Sequence, residues 1–173
     1  MIIPWFTGER TPDIPQAAPV FFGFGLEDFT PEATARPLLE GHVLNLYHGF
    51  QRMPVSPHEI RLTGGLSQSE SWCQAIADIF EAETVPVRGE GAALGAAIHA
   101  AWVWNRENGR EISLEELTGR FVTMEESRRK RPDAGTRDVF RDLKRLYSDL
   151  VDRLTPSSGK NIFRLRAGLL PPD

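Results

Sequence analysis

Two short strand-like runs, each leading straight into a helix, limit the fold of this chain more than any other feature. Residues 60–63, Ile-Arg-Leu-Thr, alternate apolar and polar side chains as a half-buried strand does, and they run into Gly64-Gly65. Beyond the glycines, Trp72, Ala75, Ile76, Ile79 and Phe80 recur at helical spacing and define a buried helix face. Ser67 and Glu70 give the S-x-x-E pattern of a capping box at the start of that helix. Residues 84–87, Thr-Val-Pro-Val, form a second strand-like run, with Pro86 pointing to an edge or a strand end. The stretch from Gly89 to Trp104 opens another helix, whose Gly/Ala face permits close packing. Strand, helix, strand, helix in that order calls for a parallel pair. The expected fold class is therefore α/β, with parallel strands flanked by helices.

The flanking segments are read in the same way. Three glycines and four prolines make residues 1–29 irregular. Thr30-Pro31-Glu32 reads as a helix start, with Thr as N-cap, Pro at the first helical position and an acid in the first turn. Leu38, Leu39, Val43, Leu46, Tyr47 and Phe50 continue it, and Pro37 predicts a kink or a later start. Ser113 and Glu116 cap a short helix. Val139, Phe140, Leu143, Leu146, Tyr147, Leu150, Val151 and Leu154 form a long amphipathic stripe over 136–154, expected as a terminal helix on the same body as the strands. One domain is expected over residues 1–154, followed by a loosely ordered tail over 155–173.

Composition narrows the chemistry. The 173 residues carry 20 basic and 24 acidic side chains, a net charge of −4, which disfavours a general nucleic-acid surface. The basic run Arg128-Arg129-Lys130-Arg131 lies among acidic residues and reads as a solvated linker. Cys73 is the single cysteine, so no internal disulfide forms, and its place beside Trp72 suits a small packing residue. No apolar run reaches the roughly 18 residues needed to span a bilayer, and residues 1–6 lack a signal-peptide pattern. A cytoplasmic protein is expected. His42, His48, His58 and His99 are scattered without metal-ligand spacing. There is no G-x-x-x-x-G-K-[ST] motif. The run Gly89-Glu90-Gly91-Ala92-Ala93-Leu94-Gly95 imitates a dinucleotide fingerprint, but its last spacing is one residue too long.

The double glycine admits two readings. A strand that ends in Gly-Gly before a helix start suits an anion or nucleotide, because the bare backbone lets a ligand approach and the helix offers free N–H groups. Equally, Gly64 and Gly65 suit a tight turn with no ligand.

Four blocks in fixed order, Phe6–Pro12, Leu38–Gly41, Ile60–Phe80 and Glu90–Trp102, closely resemble the C-terminal domain of FGGY-type carbohydrate kinases, with the xylulokinase branch nearest in pattern. The resemblance implies part of an actin-like (RNase H-like) ATPase domain. It implies ATP with Mg²⁺ as cofactor, and a sugar, D-xylulose or a related polyol, that binds mainly to a preceding domain. It places Gly64 and Gly65 against the nucleotide and Ser69 near the adenosine. It also implies close helix packing at 91–95 beside the same cleft. Leu66-Ser67-Gln68 departs from the third small residue usual after the glycine pair. Such kinases run to roughly 500 residues, so this chain is expected to be the nucleotide-side portion. None of its acids, Asp13, Glu40 and Asp78 among them, sits in a segment like the family's catalytic motif, and no catalytic residue is expected here. Asp78 is expected to be solvated or paired with a neighbouring Arg or Lys. The alternative is a non-catalytic interaction module that kept the fold.

Overall fold

A computed structural model describes residues 1–89, 91–155 and 161–169. In chain order the elements are β1 (Ile2–Ile3), β2 (Val20–Phe21), α1 (Pro31–Phe50), β3 (Glu59–Leu62), α2 (Glu70–Phe80), β4 (Glu83–Pro86), α3 (Gly91–Glu107), α4 (Leu114–Phe121), α5 (Arg137–Leu154) and α6 (Ile162–Ala167). They form two compact units, one of residues 1–55 with 135–173 and one of residues 56–134.

In the first unit β1 and β2 pair antiparallel, and Ile2, Ile3 and Trp5 are almost fully buried. Helix α1 starts as its sequence predicts. Thr30 Oγ1 accepts from Ala33 N at 3.2 Å, and Pro31 stands where its missing N–H costs nothing. The helix already spans Pro37, so of the two expectations, a kink or a later start, the later start does not hold. Gly41 lets α1 lie against β1, since a Cβ there would sit 2.1 Å from Ile2 O. Helix α5 buries Phe140, Tyr147 and Val151 and packs on α1. The stripe therefore closes the first unit, not the body that holds the parallel strands. Periodicity shows that a face is buried and leaves its partner open. Part of the tail is also helical: Asn161 Oδ1 caps α6, and Phe163 packs edge-on against Trp5. The rest of the predicted loose tail, residues 156–160 and 170–173, lies outside the described residues.

In the second unit β3 and β4 are parallel, in register from Glu59 opposite Glu83 to Leu62 opposite Pro86. Helix α2 lies on β4 and buries Cys73, Ala75, Ile76, Ala77 and Ile79, with Trp72 and Phe80 half-buried. Pro86 ends its strand, as its missing N–H predicts. Residues 123–130 run antiparallel along the other side of β4: Thr84 and Lys130 exchange hydrogen bonds of 3.0 and 2.9 Å, and Glu125 N donates to Pro86 O at 2.8 Å.

This last feature corrects the reading of the basic run. Arg128 pairs with Glu125, Arg129 with Glu59, Glu83 and Glu126, Lys130 with Glu70, and Arg131 with Glu83. Carboxylates both adjacent (Glu125, Glu126) and distant in sequence (Glu59, Glu70, Glu83) pair with the run, so it is a strap across the sheet and not a solvated linker. Asp78 is corrected too. It is buried, and its Oδ1 accepts from Gln74 Nε2 at 2.9 Å and from Asp133 N at 2.8 Å, both uncharged donors.

Candidate functional site

The junction between β3 and α2 is built in three steps. Gly64 leaves the strand at φ +84°, a left-handed backbone that L side chains rarely adopt. Residues Gly65–Gln68 then form one tight 3-10 turn. Ser69 returns to extended backbone, and its Oγ accepts from Trp72 N at 3.3 Å, which makes it the N-cap of α2.

The capping box predicted at Ser67 and Glu70 does not form: the N-cap is Ser69, two residues later, and Trp72 stands where a box would need Glu or Gln. Ser67 is buried inside the turn, where its hydroxyl donates to Gly64 O at 2.7 Å. Both serines precede the helix at plausible spacings, and the 3-10 turn decides between them.

Gly64, Gly65 and Ser69 come together on one exposed turn. A Cβ built on either glycine meets nothing within 4 Å, and among the described residues neither N–H has an acceptor. From behind, the turn is held firmly. Ser67 O accepts from Cys73 Sγ at 3.3 Å and from Arg128 Nη2 at 3.0 Å, while Gln68 Oε1 accepts from Arg128 Nη1 at 2.9 Å. Burial raises the Cys73 thiol above its ordinary pKa, in keeping with a packing role.

The first residue of α3 lies beside the strand end. A Cβ on Gly91 would fall within 1.9 Å of Thr63 Oγ1, so the close approach expected of the 91–95 run occurs at Gly91. It does not extend to Gly95, which faces open space, and Ile98 is the buried residue of this helix. Glu90 lies outside the described residues.

Chemically, the turn offers bare backbone, two unengaged donors and the exposed Leu66 side chain. That set suits the flat, weakly charged base-and-ribose end of a nucleotide better than its phosphates, which favour several N–H groups and a cation. The Mg²⁺ that the resemblance implies has no matching set of ligands: among the described residues no three His, Cys, Asp or Glu side chains are grouped to hold a metal. His48 Nδ1 lies 3.2 Å from Ser148 Oγ, as a helix-packing residue would, and burial first, then Arg52, lowers its pKa.

Residues 1–104 match the model of the FGGY family of carbohydrate kinases, C-terminal domain. The chain is 35% identical over 136 residues to a xylulose kinase of Haemophilus influenzae, covering 76% of this chain and 27% of that protein. It is 34% identical over 137 residues to a gluconokinase of Bacillus licheniformis, covering 72% of this chain and 26% of that one. The structure of a ligand-bound xylulose kinase from Lactobacillus acidophilus superposes with a TM-score of 0.76 at 25% identity, over 91% of this chain and 31% of that one. The chain belongs to the FGGY family of carbohydrate kinases, within its C-terminal domain. It spans about a quarter of the length of the curated relatives it matches.

Proposed function

We propose that this chain is the nucleotide-side portion of an ATP-dependent sugar kinase, in which the adenosine end of ATP lies on the turn of Gly64, Gly65 and Ser69. The observation that carries the reading is the open turn at the carboxyl end of a parallel strand, where ligands of open α/β sheets bind, with two unengaged backbone donors and a firm support behind it. In this reading the γ-phosphoryl group passes to a hydroxyl of D-xylulose or a related polyol. The names of the relatives, xylulose kinase and gluconokinase, support a sugar or sugar-acid acceptor.

The chain's own residues bind and orient the adenosine end of the nucleotide, and the remainder of the kinase holds the sugar, the general base and the phosphates. Phosphoryl transfer depends chiefly on such positioning and on charge stabilisation. A cytoplasmic setting accords with the single buried thiol, Cys73. Among the described residues no helix is long and apolar enough to cross a membrane.

The test is an NMR titration of the labelled chain with MgADP. Millimolar or weaker binding is expected, with shifts concentrated at Gly64, Gly65 and Ser69 and abolished by Gly65→Trp. Binding unaffected by that substitution places the nucleotide elsewhere and sinks the reading.

A non-catalytic interaction module is the second reading, favoured by the exposed rings of Phe6, Phe21, Phe22 and Phe29. It predicts no MgADP shifts at the turn.

A further inference from the structure

We propose that Arg128, sixty residues beyond the turn, is the positioning residue that presets the Gly64–Ser69 backbone for nucleotide; this rests on the reading above. A turn containing Gly-Gly has the greatest conformational freedom a chain can have, so local bonds alone order it weakly. The bonds near the turn in sequence include Ser67 N and Oγ to Gly64 O, Ser69 N to Leu66 O and Cys73 Sγ to Ser67 O.

Arg128 adds a two-point hold from a different element. Its guanidinium donates through Nη2 to Ser67 O at 3.0 Å and through Nη1 to Gln68 Oε1 at 2.9 Å. Glu125 fixes the guanidinium in turn, at 3.1 Å, and the Arg128 side chain is 22% exposed. Backbone hydrogen bonds from 123–130 to β4 lock the register of the segment that carries it. The planar fork can hold a carbonyl and a side-chain amide oxygen together, which a lysine ammonium on a flexible stem does far less well. Arg128 touches no ligand in this account. It removes the ordering cost that the turn would otherwise meet on binding.

The experiment compares the full chain with Arg128→Ala, Arg128→Lys, Gln68→Ala and Arg131→Ala, by amide hydrogen exchange and by MgADP titration. Arg131 sits on the same segment, with a side chain 79% exposed and paired to Glu83, and serves as the control for loss of a strap charge.

Arg128→Ala should speed exchange at 64–69 and weaken MgADP binding about tenfold, as befits loss of charge-assisted hydrogen bonds. Arg128→Lys should recover this in part, Gln68→Ala should show a smaller loss, and Arg131→Ala should leave both readouts unchanged. Unchanged exchange at 64–69 in Arg128→Ala overturns the proposal. So does faster exchange with unaltered MgADP affinity, or an equal effect from Arg131→Ala. Absence of MgADP binding to the unsubstituted chain defeats the nucleotide reading itself, and is seen before any variant is compared.

Discussion

The Tyr147 hydroxyl on α5 donates to Asn45 Oδ1 on α1 at 2.8 Å, and the Trp5 indole donates to the same oxygen at 3.2 Å. Asn45 Nδ2 in turn donates to Glu9 Oε2 at 2.8 Å, while Glu9 Oε1 accepts the amides of Arg10 and Thr11. One amide side chain thus joins the N-terminal loop, α1 and α5.

Asn45→Ala removes the acceptor of two almost fully buried donors, Trp5 and Tyr147. Each unsatisfied group costs about 1–3 kcal/mol, so a loss of about 3 kcal/mol is expected in urea denaturation. Leu46→Ala, at an exposed position next door, should stay within about 0.5 kcal/mol. A loss below about 1 kcal/mol for Asn45→Ala would mean that water replaces the amide.

The same tyrosine predicts an alkaline response. Burial first, and the Glu9 charge second, raise the Tyr147 phenol above its ordinary pKa of 10.0. The unfolded chain therefore releases this proton at lower pH than the folded chain, and the folded state binds more protons above that point. Stability from this group is complete below about pH 10 and falls as pH rises further, by at most about 1.4 kcal/mol per pH unit. Denaturation midpoints across the alkaline range should show this fall, and Tyr147→Phe should flatten it. An identical slope in the variant would assign the fall to other groups.

Glycines in two helices should respond with opposite signs. A Cβ at Gly41 meets the main-chain oxygen of Ile2 at 2.1 Å, which cannot turn aside. Gly41→Ala should cost about 2 kcal/mol through overpacking. Gly95, inside α3, faces open space, so Gly95→Ala should gain up to about 1 kcal/mol from helix propensity alone. Thermal melts of both variants decide this, and a destabilising Gly95→Ala would reveal a neighbour that the fold does not show.

The parallel pair was legible because its signals are local: alternation into Gly64-Gly65, a 3.6-residue stripe from Trp72, and Pro86 at the strand's end. The grouping of Gly64, Gly65 and Ser69 on one turn was legible through the family pattern of the segment. The support behind that turn was not. Arg128 reaches Gln68 across 60 residues, and 123–130 joins β4 through isolated bridges with no alternation of its own. A run of four basic residues looks the same in sequence whether water or Glu59, Glu70, Glu83, Glu125 and Glu126 receive it. Asn45 is equally mute, since a lone amide within a helix gives no sign of the three partners it gathers.

Catalysis by this chain alone is expected to be absent. Of the acids flanking the glycine turn in sequence, Glu59 is paired with Arg61 and Arg129, and Asp78 is buried and occupied by Gln74 and Asp133 N, so it cannot serve a sugar hydroxyl. Glu70 is engaged by Lys130 at 3.2 Å. General base catalysis contributes about 10²–10⁴ in rate, and positioning of the reactants contributes more. A coupled ADP-release assay with D-xylulose and gluconate should therefore register no sugar-dependent turnover for these 173 residues. Turnover at about 1 s⁻¹, within the range common for enzymes, would show that the chain carries a base and a phosphate site of its own. Sugar-dependent turnover that emerges only when the sugar-side portion of a xylulose kinase is supplied, and that falls with Gly65→Trp, would place the nucleotide's contribution at this turn.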